Sequence, residues 1–196
     1  MLPPDAANWL HSRGLDPWEI EKRDLARLLP TQERIIREIG HFPKWMTLRG
    51  QPWHLTEHAL LIPTYDELGT MVGIRARSLL HADPKTTAPA VGRGAASGMV
   101  LANQTAIATL KRGPAPLKLP IVIVEGEPDY LTWATRDDLA VLGVWSGAWN
   151  QTIADRIPSG AQVIIRTDND AAGDSYAQKI LESVMARCEI LRKKAL

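Results

Sequence analysis

Ile121-Val122-Ile123-Val124-Glu125-Gly126-Glu127-Pro128-Asp129 is the stretch on which the fold turns. Four consecutive β-branched apolar residues run into an acid, a glycine and two further acids. A continuous Val/Ile run closed by turn residues predicts a strand buried on both faces, as in a parallel sheet. In open α/β sheets the ligand crevice lies beyond the carboxyl ends of the strands, where Glu125 falls. A second run, Gln162 to Thr167, ends in Asp168-Asn169-Asp170 and then Ala171-Ala172-Gly173. Two buried strands that deliver carboxylates to one edge predict a divalent-metal site.

Outward from these strands the pattern alternates. Tyr130 to Thr135, Ile153 to Ile157 and Asp174 to Arg187 read as helices, with Asp129 near the start of the first. Leu139 to Val144 and Cys188 to Leu191 read as strands. Strand-helix alternation of this kind predicts a parallel α/β unit. Upstream, Asp5 can cap a helix through Leu10 that Gly14 ends, and Asp16-Pro17 repeats the start signal. A third helix is expected over Gln32 to Ile39, stopped by Gly40. Ala59 to Pro63 and Thr70 to Arg77 read as strands joined by an acidic turn at Asp66 to Gly69. On the second of these, Arg75 and Arg77 share a face and could hold phosphates through paired N–H groups. Leu80 to Gly98, with Asp83-Pro84-Lys85 and Gly92-Arg93-Gly94, reads as a loop that matches neither glycine-rich phosphate-binding fingerprint. Order resumes from Met99 to Leu110, and Gly113 to Pro116 is a stiff connector. The expected division is therefore 1–118, an α+β subdomain, and 119–196, a catalytic subdomain.

The bulk composition excludes some classes. The 196 residues are 45% hydrophobic and 23% charged, as in an ordinary soluble domain. No apolar run approaches the roughly 20 residues that span a bilayer, and a cytoplasmic protein without membrane partner is expected. One cysteine, Cys188, excludes an internal disulfide or a cysteine zinc site within the chain. The net charge of +1 hides a split: seven Lys/Arg face one acid from Met71 to Pro120, whereas nine acids face three arginines from Ile121 to Asp174. A basic segment beside an acidic one suits a polyanion that must also meet cations. His54-Leu55-Thr56-Glu57-His58 matches a zinc-peptidase pattern, but that pattern needs a helix, and Pro52 with strand-like neighbours argues against one.

Oxygen ligands without cysteine or a convincing histidine select hard cations, Mg²⁺ or Mn²⁺. Asp168 and Asp170 are two apart, so an extended chain points both carboxylates one way. Glu125, from the other strand end, completes the set or moves a proton.

Taken together, Glu125-Gly126-Glu127-Pro128-Asp129 resembles the E-G-x-x-D element of TOPRIM domains, and Asp168 to Gly173 their D-x-D-x-A-G element. Leu61 to Arg77, Asp83-Pro84-Lys85 and Leu142 to Gly147 are similar to segments of bacterial-type primases, so the resemblance runs over residues 58 to 191. It implies a TOPRIM-type parallel sheet with flanking helices, preceded by a smaller primase-like α+β subdomain. It also implies synthesis of short RNA primers from nucleoside triphosphates on a single-stranded DNA template during DNA replication. In that reading Glu125, Asp168 and Asp170 are the catalytic metal-binding acids, Asp129 is a supporting acid, and Arg75, Arg77 and Lys85 contact nucleic acid or nucleotide.

The sequence also departs from that pattern. No cysteine cluster precedes the core, no helicase motif follows it, and no third acidic motif follows Leu191. A core truncated at its C-terminus, completed by a missing C-terminal domain or a helicase partner, is the expectation. Two alternatives stay open, a TOPRIM-type nuclease and a nucleic-acid-binding or assembly module with an incomplete site. A topoisomerase is disfavoured because only Tyr65, Tyr130 and Tyr176 are available, without a companion domain.

Overall fold

The computed structural model describes residues 4–80, 82–89, 98–145 and 147–194, so Gly92-Arg93-Gly94 lies outside the described residues. Two compact units emerge, 1–63 with 73–94, and 64–72 with 95–196.

The first unit opens with three short helices whose ends follow local chemistry. Helix α1 (Pro4–Ser12) starts ahead of Asp5, so Asp5 lies inside the helix and not at its cap. Asp16 caps α2 (Pro17–Lys22) by accepting the Trp18 N–H at 2.9 Å, with Pro17 at the first position. Thr31 caps α3 (Gln32–Ile39), and Gly40 ends it in the left-handed region at φ 80°. Strands β1 (Arg27–Leu28), β4 (His58–Tyr65), β5 (Met71–Ser78) and β6 (Thr86–Thr87) form one sheet in the order β1-β4-β5-β6. The hairpin of β2 (Thr47–Leu48) and β3 (Gln51–Pro52) stands beside it in sequence. Trp53, fully buried, centres a small core with Met46, Ile35 and Ala76, and meets Trp45 edge-on at 6.0 Å.

The second unit is the α/β layer expected from the strand-helix alternation. Its elements are β7 (Leu101–Ala102), α4 (Gln104–Arg112), β8 (Pro120–Glu125), α5 (Glu127–Ala134), β9 (Ala140–Val144), α6 (Gln151–Ala154), β10 (Gln162–Thr167), α7 (Ala171–Val184) and β11 (Glu189–Lys194). The sheet order is β11-β10-β8-β9-β7, parallel except for β7, which runs antiparallel to β9. Ile121, Val122, Ile123 and Val124 are all at most 1% exposed, as a two-sided central strand requires. Burying each such side chain contributes about 1.5–3 kcal/mol. Because β7 pairs with β9 and α4 packs there too, the segment before the expected boundary at Leu119 joins this unit. Helix α6 covers Gln151–Ala154 where Ile153 to Ile157 was expected, because Asn150 caps it by accepting the Ile153 N–H.

Asn103 ties α4 to the sheet. Its Oδ1 accepts the N–H groups of Ala106 (2.9 Å) and Val141 (3.1 Å), and its Nδ2 donates to the Leu139 carbonyl (3.0 Å). Three bonds from one side chain only 5% exposed leave three buried backbone groups unmatched when it is removed. Asn103→Ala should destabilise the fold by about 2–4 kcal/mol, read from the denaturant midpoint at unchanged slope.

Candidate metal and nucleotide site

Strand β8 stops at Glu125 because the next residue leaves the strand in a conformation only glycine adopts readily. Gly126 has φ 80° and ψ 166°. The chain then enters α5 at Glu127, with Pro128 in the first turn, earlier than the expected start at Tyr130. That places Asp129 in the first turn, where unpaired helix N–H groups favour a carboxylate. Glu127, which the sequence reading passed over, is buried at 4% exposure.

The second acidic segment meets the first through backbone. The Asp168 N–H donates to Glu125 Oε2 at 3.1 Å, joining the ends of β10 and β8. Beyond Thr167 the chain bends at Asn169 and Asp170, and α7 begins at Ala171 instead of Asp174. Asp170 is the cap of that helix, its Oδ1 accepting the Gly173 N–H at 2.7 Å. The simple extended pair expected of Asp168 and Asp170 is therefore replaced by a strand end followed by a helix cap. Gly173 makes the turn possible: a Cβ there would lie 2.2 Å from the Asp168 carbonyl oxygen.

Charge crowding marks this edge. Burial holds the Glu125 carboxyl above its ordinary range, and Asp168, Asp170 and Asp129 add repulsion, while the Asp168 N–H acts the other way. Burial also raises Asp129, with Arg166 opposing and Asp168 adding. Tyr176 of α7 is pushed up to about 12, chiefly by burial. Its hydroxyl donates to the Trp145 carbonyl (2.8 Å) and accepts the Trp149 N–H (2.9 Å), anchoring the loop after β9. Tyr176, weighed above only as one of three tyrosines, and Arg166 are not among the expected site residues. The one signal for Arg166 was its place two residues before Asp168 on an alternating strand.

The donor set is all oxygen, the choice of a hard cation. Among the described residues no three His, Cys, Asp or Glu side chains converge into a ready ligand group. Mg²⁺ is commonly held by one or two carboxylates with waters and substrate phosphates. A repelling carboxyl pair at Glu125 and Asp168 fits that hydrated mode and not a closed cage.

The basic residues lie in the first unit and play separate parts. Arg75 donates to Thr86 Oγ1 at 2.6 Å. Arg77 sits over the Trp9 ring at 5.3 Å, and Arg13 over the same ring at 5.4 Å. Arg13, Arg77, Lys85 and Trp9 line a cavity of about 700 Å³; Arg75 is not in its wall. The histidines of the peptidase-like pattern are structural. The His54 Nε2–H donates to the Pro30 carbonyl (2.8 Å) and the His58 Nε2–H to the Pro84 carbonyl (2.9 Å). The Ser78 N–H donates to the Lys85 carbonyl, so the backbone that carries Lys85 is held from two sides.

Residues 122–195 match a family model described as Toprim-like. This part of the chain is similar to Toprim-like domains. The match begins within β8 and runs through β11, so it takes in both acid-bearing strand ends. No curated protein matches the chain in sequence. Among solved structures, the Aquifex aeolicus primase zinc-binding and RNA polymerase domains align with a TM-score of 0.65 at 18% identity, over 98% of this chain and 50% of that one. A DnaG primase catalytic domain bound to ssDNA aligns at 0.66 and 16%, over 97% and 64%. A DNA primase domain from Pseudomonas aeruginosa aligns at 0.62 and 18%, over 96% and 64%. The Toprim-like domain and the unit before it thus have the fold of a primase catalytic core, and the chain spans 50% to 64% of these structures' lengths.

Two outcomes follow for the acidic edge of the Toprim-like domain. Gly173→Ala must displace the Asp168 backbone, costing about 1–3 kcal/mol of stability by denaturation and weakening Mn²⁺ binding measured by calorimetry. Glu125 is raised above 4.5 in the folded chain, so the fold holds that proton more tightly than the unfolded chain does. Stability therefore falls as pH rises from 4.5 through the folded value. Metal-free Glu125→Gln escapes that loss and should melt about 1–3 °C higher at neutral pH, a small gain because solvent screens the site. The difference should vanish on acidification below 4.5.

Proposed function

We propose that this chain is the catalytic core of a primase-type nucleotidyltransferase that joins nucleoside triphosphates into short RNA on single-stranded DNA. The observation that carries the reading is the Asp168 N–H bonded to Glu125 across β10 and β8, within a Toprim-like domain whose surroundings share the primase-core fold.

Phosphoryl transfer depends mainly on positioning and on charge stabilisation. The hydroxyl oxygen at the 3′ end of the growing strand bonds to the α-phosphorus of the incoming triphosphate. The bond from that phosphorus to its bridging oxygen breaks, and pyrophosphate leaves. Mg²⁺ or Mn²⁺, when bound, neutralises the charge that develops on the phosphate oxygens. Asp168 and Asp170, the latter through the oxygen that its helix cap leaves over, would hold it. Glu125 serves as a ligand or takes the hydroxyl proton, a task that a raised carboxyl pKa suits. Asp129 supports the set from the start of α5. Arg13, Arg77 and Lys85 hold template or triphosphate in their cavity, with Trp9 as an apolar wall. Arg75, bonded to Thr86, braces β5 against β6 and touches the polyanion less.

The lack of a converged three-ligand group among the described residues favours one second reading, a nucleic-acid-binding module. Incubating the purified chain with single-stranded DNA, the four ribonucleoside triphosphates and Mn²⁺ separates the two. Labelled oligoribonucleotides should appear and fall by about 10²-fold or more in Asp168→Ala and Glu125→Gln. Lys85→Ala and Arg77→Gln should weaken template binding and flatten its salt dependence by about one unit per cation removed. Binding without any synthesis would support the module, and DNA cleavage without nucleotides would support a nuclease.

A further inference from the structure

Arg166 is a cation built into the acidic edge. It stands two residues before Asp168 on β10 and lies on the face opposite Val163 and Ile165, which pack with α7. Its guanidinium carbon is 4.9 Å from the centroid of the Trp133 ring. Trp133 follows Asp129 by one helical turn on α5, so those two share a face. A second guanidinium, Arg136, lies 5.8 Å from the same ring, but it is exposed and paired with Asp138 at 3.1 Å. Arg166 differs. Its Nε is buried without a hydrogen-bond partner, so the ring and the surrounding carboxyl field hold it.

We infer that Arg166, stacked on Trp133, is a fixed counter-cation of the acidic edge and a positioning residue that sets how tightly the edge holds a divalent cation. The inference rests on reading Glu125 and Asp168 as a cation site. A tethered guanidinium offsets carboxylate repulsion whether or not an ion is bound, and it repels an arriving Mn²⁺. The stack also joins the strand that delivers Asp168 to the helix that carries Asp129. Arg166 influences Asp129 in the same sense, opposing the effect of burial on that carboxyl.

The test is Mn²⁺ binding to the intact, metal-free chain, followed by the paramagnetic resonance of free Mn²⁺, with no nucleotide or template present. Arg166→Gln should bind Mn²⁺ about 3- to 10-fold more tightly than wild type, because a screened like charge has gone. Arg166→Lys, which keeps the charge, should stay within about 2-fold of wild type. Arg136→Gln, which removes an exposed charge already paired with Asp138, should change nothing. A merely structural role predicts the opposite sign: a loosened edge that binds Mn²⁺ more weakly in Arg166→Gln. Unchanged or weaker binding in that variant, with wild type binding normally, overturns the inference alone. If Arg166→Gln does not fold, Trp133→Leu releases the guanidinium and should tighten binding by a smaller factor, and no change there overturns it. Failure of wild type to bind Mn²⁺, or binding that Asp168→Asn leaves intact, removes the cation-site reading and this inference with it.

Discussion

Carboxylates gathered at the ends of two parallel strands repel one another, and the second unit is built so that backbone holds them in place. The Asp168 N–H on Glu125 is the central tie, because it sets the end of β10 against the end of β8 with a donor that cannot ionise. The other arrangements serve the same end. Gly126 lets the chain leave β8 at once, so Asp129 arrives in a helix first turn. Gly173 lets α7 approach the Asp168 carbonyl, and Asp170 caps that helix. The repulsion that remains is visible as the raised Glu125 and Asp129 carboxyls. Sites that store charge in this way commonly do so for function at some expense of stability.

The first unit solves a different problem, the orientation of the cations that line its cavity. Arg77 and Arg13 rest on the Trp9 ring, a partner that orients a guanidinium. Lys85 depends on bonds from the His58 ring and the Ser78 N–H to carbonyls of its own segment. His58 is fully buried, and its commitment to a carbonyl makes it part of the scaffold.

Much of this was legible in the residues. The Val/Ile runs before Glu125 and Asp168 could only be buried strands, and their acids then had to share an edge. Gly40 and Asp16 announced helix ends by chemistry that acts within a few residues. What could not be read depended on distant partners. Nothing near Arg166 in sequence points to Trp133, and the two meet only because α5 packs over the face that Arg166 occupies. Asp170 looked like half of a ligand pair, but an acid three residues before a glycine also suits a helix cap, and one of its oxygens makes that cap beside the close approach of α7 to Asp168. The two-residue β7 left no periodicity to detect, so its pairing with β9, which moves the unit's boundary upstream, was invisible.

The sheet order has a consequence at its other end. Strand β11 lies outermost, so one row of its N–H and C=O groups has no strand beside it among the described residues. Such an edge is a template on which another chain can assemble. Here Leu191, itself exposed, is followed by Arg192 and Lys193, both exposed, and Arg192 is clasped by Asp174 of α7. Charged side chains along an edge strand make a second strand an unfavourable neighbour, so these residues disfavour the addition of β11 to another molecule's sheet.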